Sequence, residues 1–188
     1  MSYYENCAHE GLNKSNNIGG GGKLLRFALN LILKYKEEYN IKRILLKDNS
    51  FLYCKGFEHT IKLAQLRMFT HGLPWYSSYG FKPYDPSIQK PSVGLLDLLK
   101  NSRKIVRTLQ TKKVNVIQII KNNKLNHDID KINTMIAQYP IMSDFIINLS
   151  NNYDGYCKLI YYILEYMFDN VMIKGLGNFH GKTFYLDI

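Results

Sequence analysis

The chain has 188 residues, 46% of them hydrophobic, and a formal net charge of +10. That length holds the core of one domain or a little more, and the hydrophobic content excludes low-complexity disorder over most of it. The basic balance suggests an acidic partner: nucleic acid, a membrane surface or an anionic cofactor, of which CoA with its phosphates is one.

Cys7, Cys54 and Cys157 are widely spaced, odd in number and form no CxxC pair. This argues against a disulfide framework or a zinc site and for a reducing, intracellular compartment. Met1–Asn6 shows no basic stretch leading into an apolar one, so no signal peptide is expected. No run of about 18 uncharged apolar residues occurs, so no membrane span is expected. The heavy use of Tyr, 15 residues, together with Asn, Ile and Lys, fits an AT-rich genome such as that of a large DNA virus or a protist; for a virus the compartment is host cytoplasm or virion.

In chain order, residues 11–22 are polar and end in four glycines, which reads as a loop. Leu24, Ala28, Leu31 and Tyr35 share helical spacing, as do Leu25 and Ile32, which predicts an amphipathic helix of about four turns. Ile41–Leu46 reads as a short buried strand leaving through Asp48-Asn49-Ser50. A helix is expected over 60–71 with Gly72 as its C-cap, then a helical turn from Pro74. Lys82-Pro83-Tyr84-Asp85-Pro86 reads as a break in regular structure, and 83–91 as a domain boundary. Beyond it the pattern is mostly helical: from Ser92 to about 110, then 114–122, 128–138 and 156–170. The last is apolar on almost every face and is expected to be buried. Residues 143–150 fit either helix or strand, and Thr183–Leu186 reads as a terminal strand.

Glycines ahead of a helix suit a phosphate. The first turn of a helix leaves backbone N–H groups unpaired, and residues without Cβ let those groups approach closely. A flexible linker is the alternative. The run is neither a Walker A loop, since no Gly-Lys-Ser/Thr follows, nor a dinucleotide fingerprint, since no strand precedes it.

Asn16-Asn17-Ile18-Gly19-Gly20-Gly21-Gly22-Lys23-Leu24-Leu25 resembles the pyrophosphate loop of the GNAT superfamily of N-acyltransferases, written Gln/Arg-x-x-Gly-x-Gly/Ala. Asn16 in the Gln/Arg place is a departure. Tyr76-Ser77-Ser78-Tyr79-Gly80-Phe81 resembles the family's later Tyr-x-x-x-Gly-Phe signature, so the resemblance spans residues 16–81. It implies that Asn16, Gly19, Gly20, Gly21, Gly22 and Lys23 hold the pyrophosphate of acetyl-CoA, the co-substrate. It implies that pantetheine lies in a splay between two parallel strands, and that an amine acceptor attacks the thioester directly. Tyr76 is then the acid for the leaving thiolate, a phenol of ordinary pKa about 10 being neutral at pH 7. The alternative is that Tyr76 packs beside Trp75. Glu10, Asp48 and His71 are candidates for the base by type alone; His71, at a helix end, is expected to bond the last carbonyls. His59 is expected at the surface or in a cap. The family builds its amine-binding side from elements ahead of the glycine loop, whereas the residues here before Asn16 supply one strand at most, Tyr3–His9.

Lys100, Arg103, Lys104 and Arg107 fall on one face of the predicted helix after Ser92, followed by Lys112, Lys113, Lys121 and Lys124 without an intervening acid. Such a face either tracks a phosphate backbone or is simply solvated. The expected fold class is thus α/β: a GNAT-like mixed sheet, shortened at its N-terminus, over residues 1–91, with a mostly helical half over 92–188. The expected activity is acetyl transfer from acetyl-CoA to an amine. The alternative is a non-catalytic basic protein on the same scaffold, associated with nucleic acid or another protein chain. No resident metal and no membrane partner are expected.

Overall fold

The computed structural model describes residues 20–169 and 177–188. The chain is mixed α/β with a helical C-terminal half. Among the described residues it has seven α-helices: α1 Gly20–Tyr35, α2 Leu63–His71, α3 Val93–Thr108, α4 Val116–Asn122, α5 Ile129–Gln138, α6 Met142–Asn151 and α7 Tyr153–Asp169. The strands are β1 Arg43–Lys47, β2 Phe51–Tyr53, β3 Thr60–Lys62, β4 Lys82–Asp85, β5 Lys90–Pro91 and β6 Thr183–Asp187. β2 and β3 form a separate hairpin; the main sheet has the order β1-β6-β4-β5. Its pairs are antiparallel, with Leu45 opposite Tyr185 and Tyr185 opposite Lys82. The terminal strand therefore lies at the middle of the sheet and joins the strand after α1 to the strand after Phe81. None of the described pairs is the parallel pair that the resemblance implies.

Two apolar clusters hold this arrangement. The smaller lies against the sheet: Ala64, Met68, Phe81, Phe179 and Phe184, with Leu29 of α1 and Leu95, Leu98 and Leu99 of α3 packed on it. The larger is helical and centres on α7, whose Leu159, Ile160 and Ile163 are fully buried. Residues on both sides of 91 build the sheet and the smaller cluster. Among the described residues no helix is long and apolar enough to cross a membrane.

Local chemistry accounts for several boundaries. Gly72 ends α2 in the left-handed region at φ 70°, its N–H bonded to the Met68 carbonyl, as its sequence position predicts. The Ser92 hydroxyl accepts the Leu95 N–H at the start of α3, and the Asp128 carboxylate accepts two N–H groups at the start of α5. The ambiguous 143–150 belongs to α6.

Four expectations are corrected. Lys82–Asp85 is not a break but strand β4. Pro83 is tolerated there because it faces the short β5, where its carbonyl accepts the Ser92 N–H and no donor is needed from its nitrogen. Residues 60–62 pair with β2 instead of opening a helix. In α1 the apolar positions named from spacing divide: Leu25, Ala28 and Ile32 are half-buried, with Leu29 beside them, whereas Leu24 is 64% and Leu31 48% exposed. Finally, Cys54 and Cys157 are joined in a disulfide with Cα atoms 5.6 Å apart, tying the β2–β3 hairpin to α7. Wide spacing in sequence is no obstacle once folding brings the two residues together.

Candidate functional site

Asn16, Gly19, Glu10 and the Tyr3–His9 segment lie outside the described residues. Gly20, Gly21 and Gly22 form the first turn of α1, with Gly22 buried and Lys23 exposed. Residues 20–22 are thus helical rather than a free loop, and they present the unpaired N–H groups of a helix start. The helix does not project into solvent alone. Leu29 reaches the sheet-side cluster that also takes Tyr76 and Tyr79, and the Arg26 guanidinium lies over the Tyr79 ring, 6.0 Å from its centre.

Tyr76 sits in a single 3-10 turn, Trp75–Tyr79. The turn closes on Gly80, whose φ of 89° only glycine adopts without strain, and the Gly80 N–H bonds the Ser77 and Tyr76 carbonyls. The half-buried Tyr76 ring meets Trp75 edge-on at 4.9 Å and lies 6.2 Å from both Phe81 and Phe184. The packing role weighed for Tyr76 therefore exists. The structure also brings the glycine-led helix and the Tyr-x-x-x-Gly-Phe turn onto one cluster.

The candidate bases separate. Asp48 directly follows β1 and is fully buried. Burial pushes its carboxyl above the usual range; bonds from the Ser50 N–H and hydroxyl to Oδ1 oppose this, as does nearby His180. Its Oδ2 has no hydrogen-bond partner. His71 does not bond the carbonyls at the end of α2, as its position suggested. Its Nε2 lies 3.1 Å from Arg67 Nη1 and its Nδ1 2.6 Å from Thr70 Oγ1. His71 is exposed along one side, yet partial desolvation of its ring, then the Arg67 charge, push its pKa down to about 4, so it is neutral at pH 7. His59 is exposed, as expected, but its ring also stacks on Tyr161, 5.1 Å away and nearly parallel.

The cations of α3 stand where their spacing places them. Lys100, Arg103, Lys104 and Arg107 are all exposed, as are Lys112, Lys113, Lys121 and Lys124. Lys100 pairs with Asp97 on its own helix at 3.3 Å; Arg103, Lys104 and Arg107 join no ion pair among the described residues. Reading the sequence missed two features elsewhere in the fold. The Cys54–Cys157 link left no local signal. The Arg67–His71 pair did, since i and i+4 neighbours meet on a helix. Among the described residues no group of three or more His, Cys, Asp or Glu could hold a metal.

No family model, curated protein or solved structure matches the chain.

Proposed function

We propose that this chain binds acetyl-CoA at the start of α1 and transfers the acetyl group to an amine. The observation that supports the reading best is convergence. The helix opened by the glycine segment and the Tyr76 turn lie far apart in the chain, yet Leu29 of the first and Tyr76, Tyr79 and Phe81 of the second pack in one core cluster beneath one sheet. The terminal strand β6 links the strands that follow them.

The glycine turn fits a pyrophosphate. It has no Cβ atoms, its N–H groups lack intrahelical partners, and Lys23 and Arg26 add positive charge at the same helix end. Acetyl-CoA supplies an activated thioester. The free amine attacks its carbonyl carbon, the C–S bond breaks, and the ammonium proton leaves while the thiolate gains one. Tyr76, held in orientation by Trp75, Phe81 and Phe184, is the proposed donor to sulfur. Tyr76→Phe keeps the packing and removes the proton. In an assay of free CoA release from acetyl-CoA with polyamine or lysine-peptide acceptors, kcat is expected to fall about 100-fold, the usual scale for one general acid. A variant with unchanged kcat removes Tyr76 from the chemistry.

A second reading, polyanion binding through α3, is favoured by its exposed and mostly unpaired cations. Replacing Lys104 and Arg107 by Ala is expected to weaken binding to single-stranded DNA and flatten its salt dependence.

A further inference from the structure

A cavity of about 150 Å3 opens between α2 and α6, away from the sheet. One wall is apolar: Leu63, Leu66 and Ile147. The polar groups on it include Arg67, Ser150 and Asn151, and none of its lining residues is acidic. Arg67 is half-buried there and joins no ion pair among the described residues. Among the described residues its hydrogen-bond partner is the His71 imidazole, and its covered Nε has none.

The bonds around His71 have a single sense. A guanidinium only donates, so Nε2 accepts from Arg67. Nδ1 then carries the hydrogen and donates to Thr70 Oγ1, which passes its own hydrogen to the Leu66 carbonyl at 2.8 Å. The imidazole is neutral and the full positive charge stays on Arg67. Ser150 is also committed, donating to the Ile146 carbonyl at 2.8 Å, so within the cavity it acts as an acceptor. The donors left are the guanidinium and the Asn151 amide. A partly buried cation with neither counter-charge nor full hydrogen bonding is costly, and an anion in the cavity removes both deficits. The volume is that of about five waters, which admits a carboxylate with a few carbons and excludes a nucleotide. One cation beside three apolar side chains suits a short aliphatic acid better than the more highly charged, carbon-free phosphate.

We propose that the cavity between α2 and α6 binds a small aliphatic carboxylate, with the Arg67 guanidinium as counter-ion and Leu63, Leu66 and Ile147 against its alkyl chain. This site is independent of the acetyl-CoA reading. The probe is sodium butyrate, titrated at constant ionic strength into the full, disulfide-bonded chain, followed by the methyl NMR signals of Leu63, Leu66 and Ile147. Inorganic phosphate and 1-butanol are titrated in parallel. Butyrate is expected to saturate these signals at low-millimolar concentration, about −4 kcal/mol on the affinity scale, and 1-butanol is not. Arg67→Met keeps the stem without the charge and is expected to weaken butyrate at least tenfold; Arg67→Lys, which keeps the charge but loses the planar fork, is expected to fall between. No saturation at tens of millimolar, equal response to butanol, or an unchanged affinity in Arg67→Met overturns the proposal. Saturation by phosphate without saturation by butyrate overturns the carboxylate assignment.

Discussion

Gly177 shows how little room single positions leave. Its N–H donates to the buried Ser102 hydroxyl at 2.7 Å, and Ser102 in turn donates to the Leu98 carbonyl. A Cβ built on Gly177 would lie 2.5 Å from the Phe179 ring and 2.8 Å from Leu98 Cγ. Gly177→Ala is therefore expected to lower stability by about 1–3 kcal/mol, the range for overpacking, through a shift in the urea midpoint. At His71 the consequence is a pH dependence. Its folded pKa, about 4, is below its ordinary 6.5, so between those values the unfolded chain binds more protons. Stability contributed by neutral His71 is complete above 6.5 and lost as pH falls towards 4. Asp48 works in the opposite sense: its raised folded pKa favours the protonated, acid side. Melting curves of wild type and His71→Gln over this interval separate the two, and the variant is expected to lose less stability on acidification.

At the scale of elements, α5 tests how far local chemistry sets the fold. Asp128→Ala removes the acceptor for the Asp130 and Lys131 N–H groups and is expected to cost about 1 kcal/mol of stability in denaturant unfolding. Ser92 and Gly72 were legible in the sequence for that reason: a cap is decided within four residues. β4 was not legible. Pro83 reads as a breaker, and its tolerance depends on β5 ending short and on Ser92 arriving from beyond it. The inward face of α1 was legible only in part. Leu24, Leu25, Phe27, Leu29, Leu31 and Ile32 crowd its circumference, so periodicity alone cannot choose which of them meets the sheet. For the candidate site, spacing placed the α3 cations and the order of the glycine and tyrosine segments. It could not place the Arg67–His71–Thr70 chain in its cavity, because the other wall, α6, comes from far along the chain.

The whole molecule is closed by contacts between distant segments. β6 occupies the middle of a sheet begun at residue 43, and the Cys54–Cys157 bond closes a loop of sequence separation 103. In the chain-entropy account a loop of that size stabilises by about 4–5 kcal/mol. Reduction, or replacing both cysteines by serine, is accordingly expected to lower stability by roughly that amount and to loosen the β2–β3 hairpin from α7 first, seen as faster hydrogen exchange in residues 51–62. The central functional claim also belongs to this scale, since it needs α1, the sheet and the Tyr76 turn together. Calorimetric titration of the full chain with acetyl-CoA, beside Gly21→Glu, tests it most directly, because the substitution puts an anion into the first turn of α1. Binding at about micromolar Kd, near −8 kcal/mol, that is abolished in Gly21→Glu is the predicted result. Absence of heat and of thermal stabilisation at millimolar acetyl-CoA, or equal binding by the variant, would contradict the account.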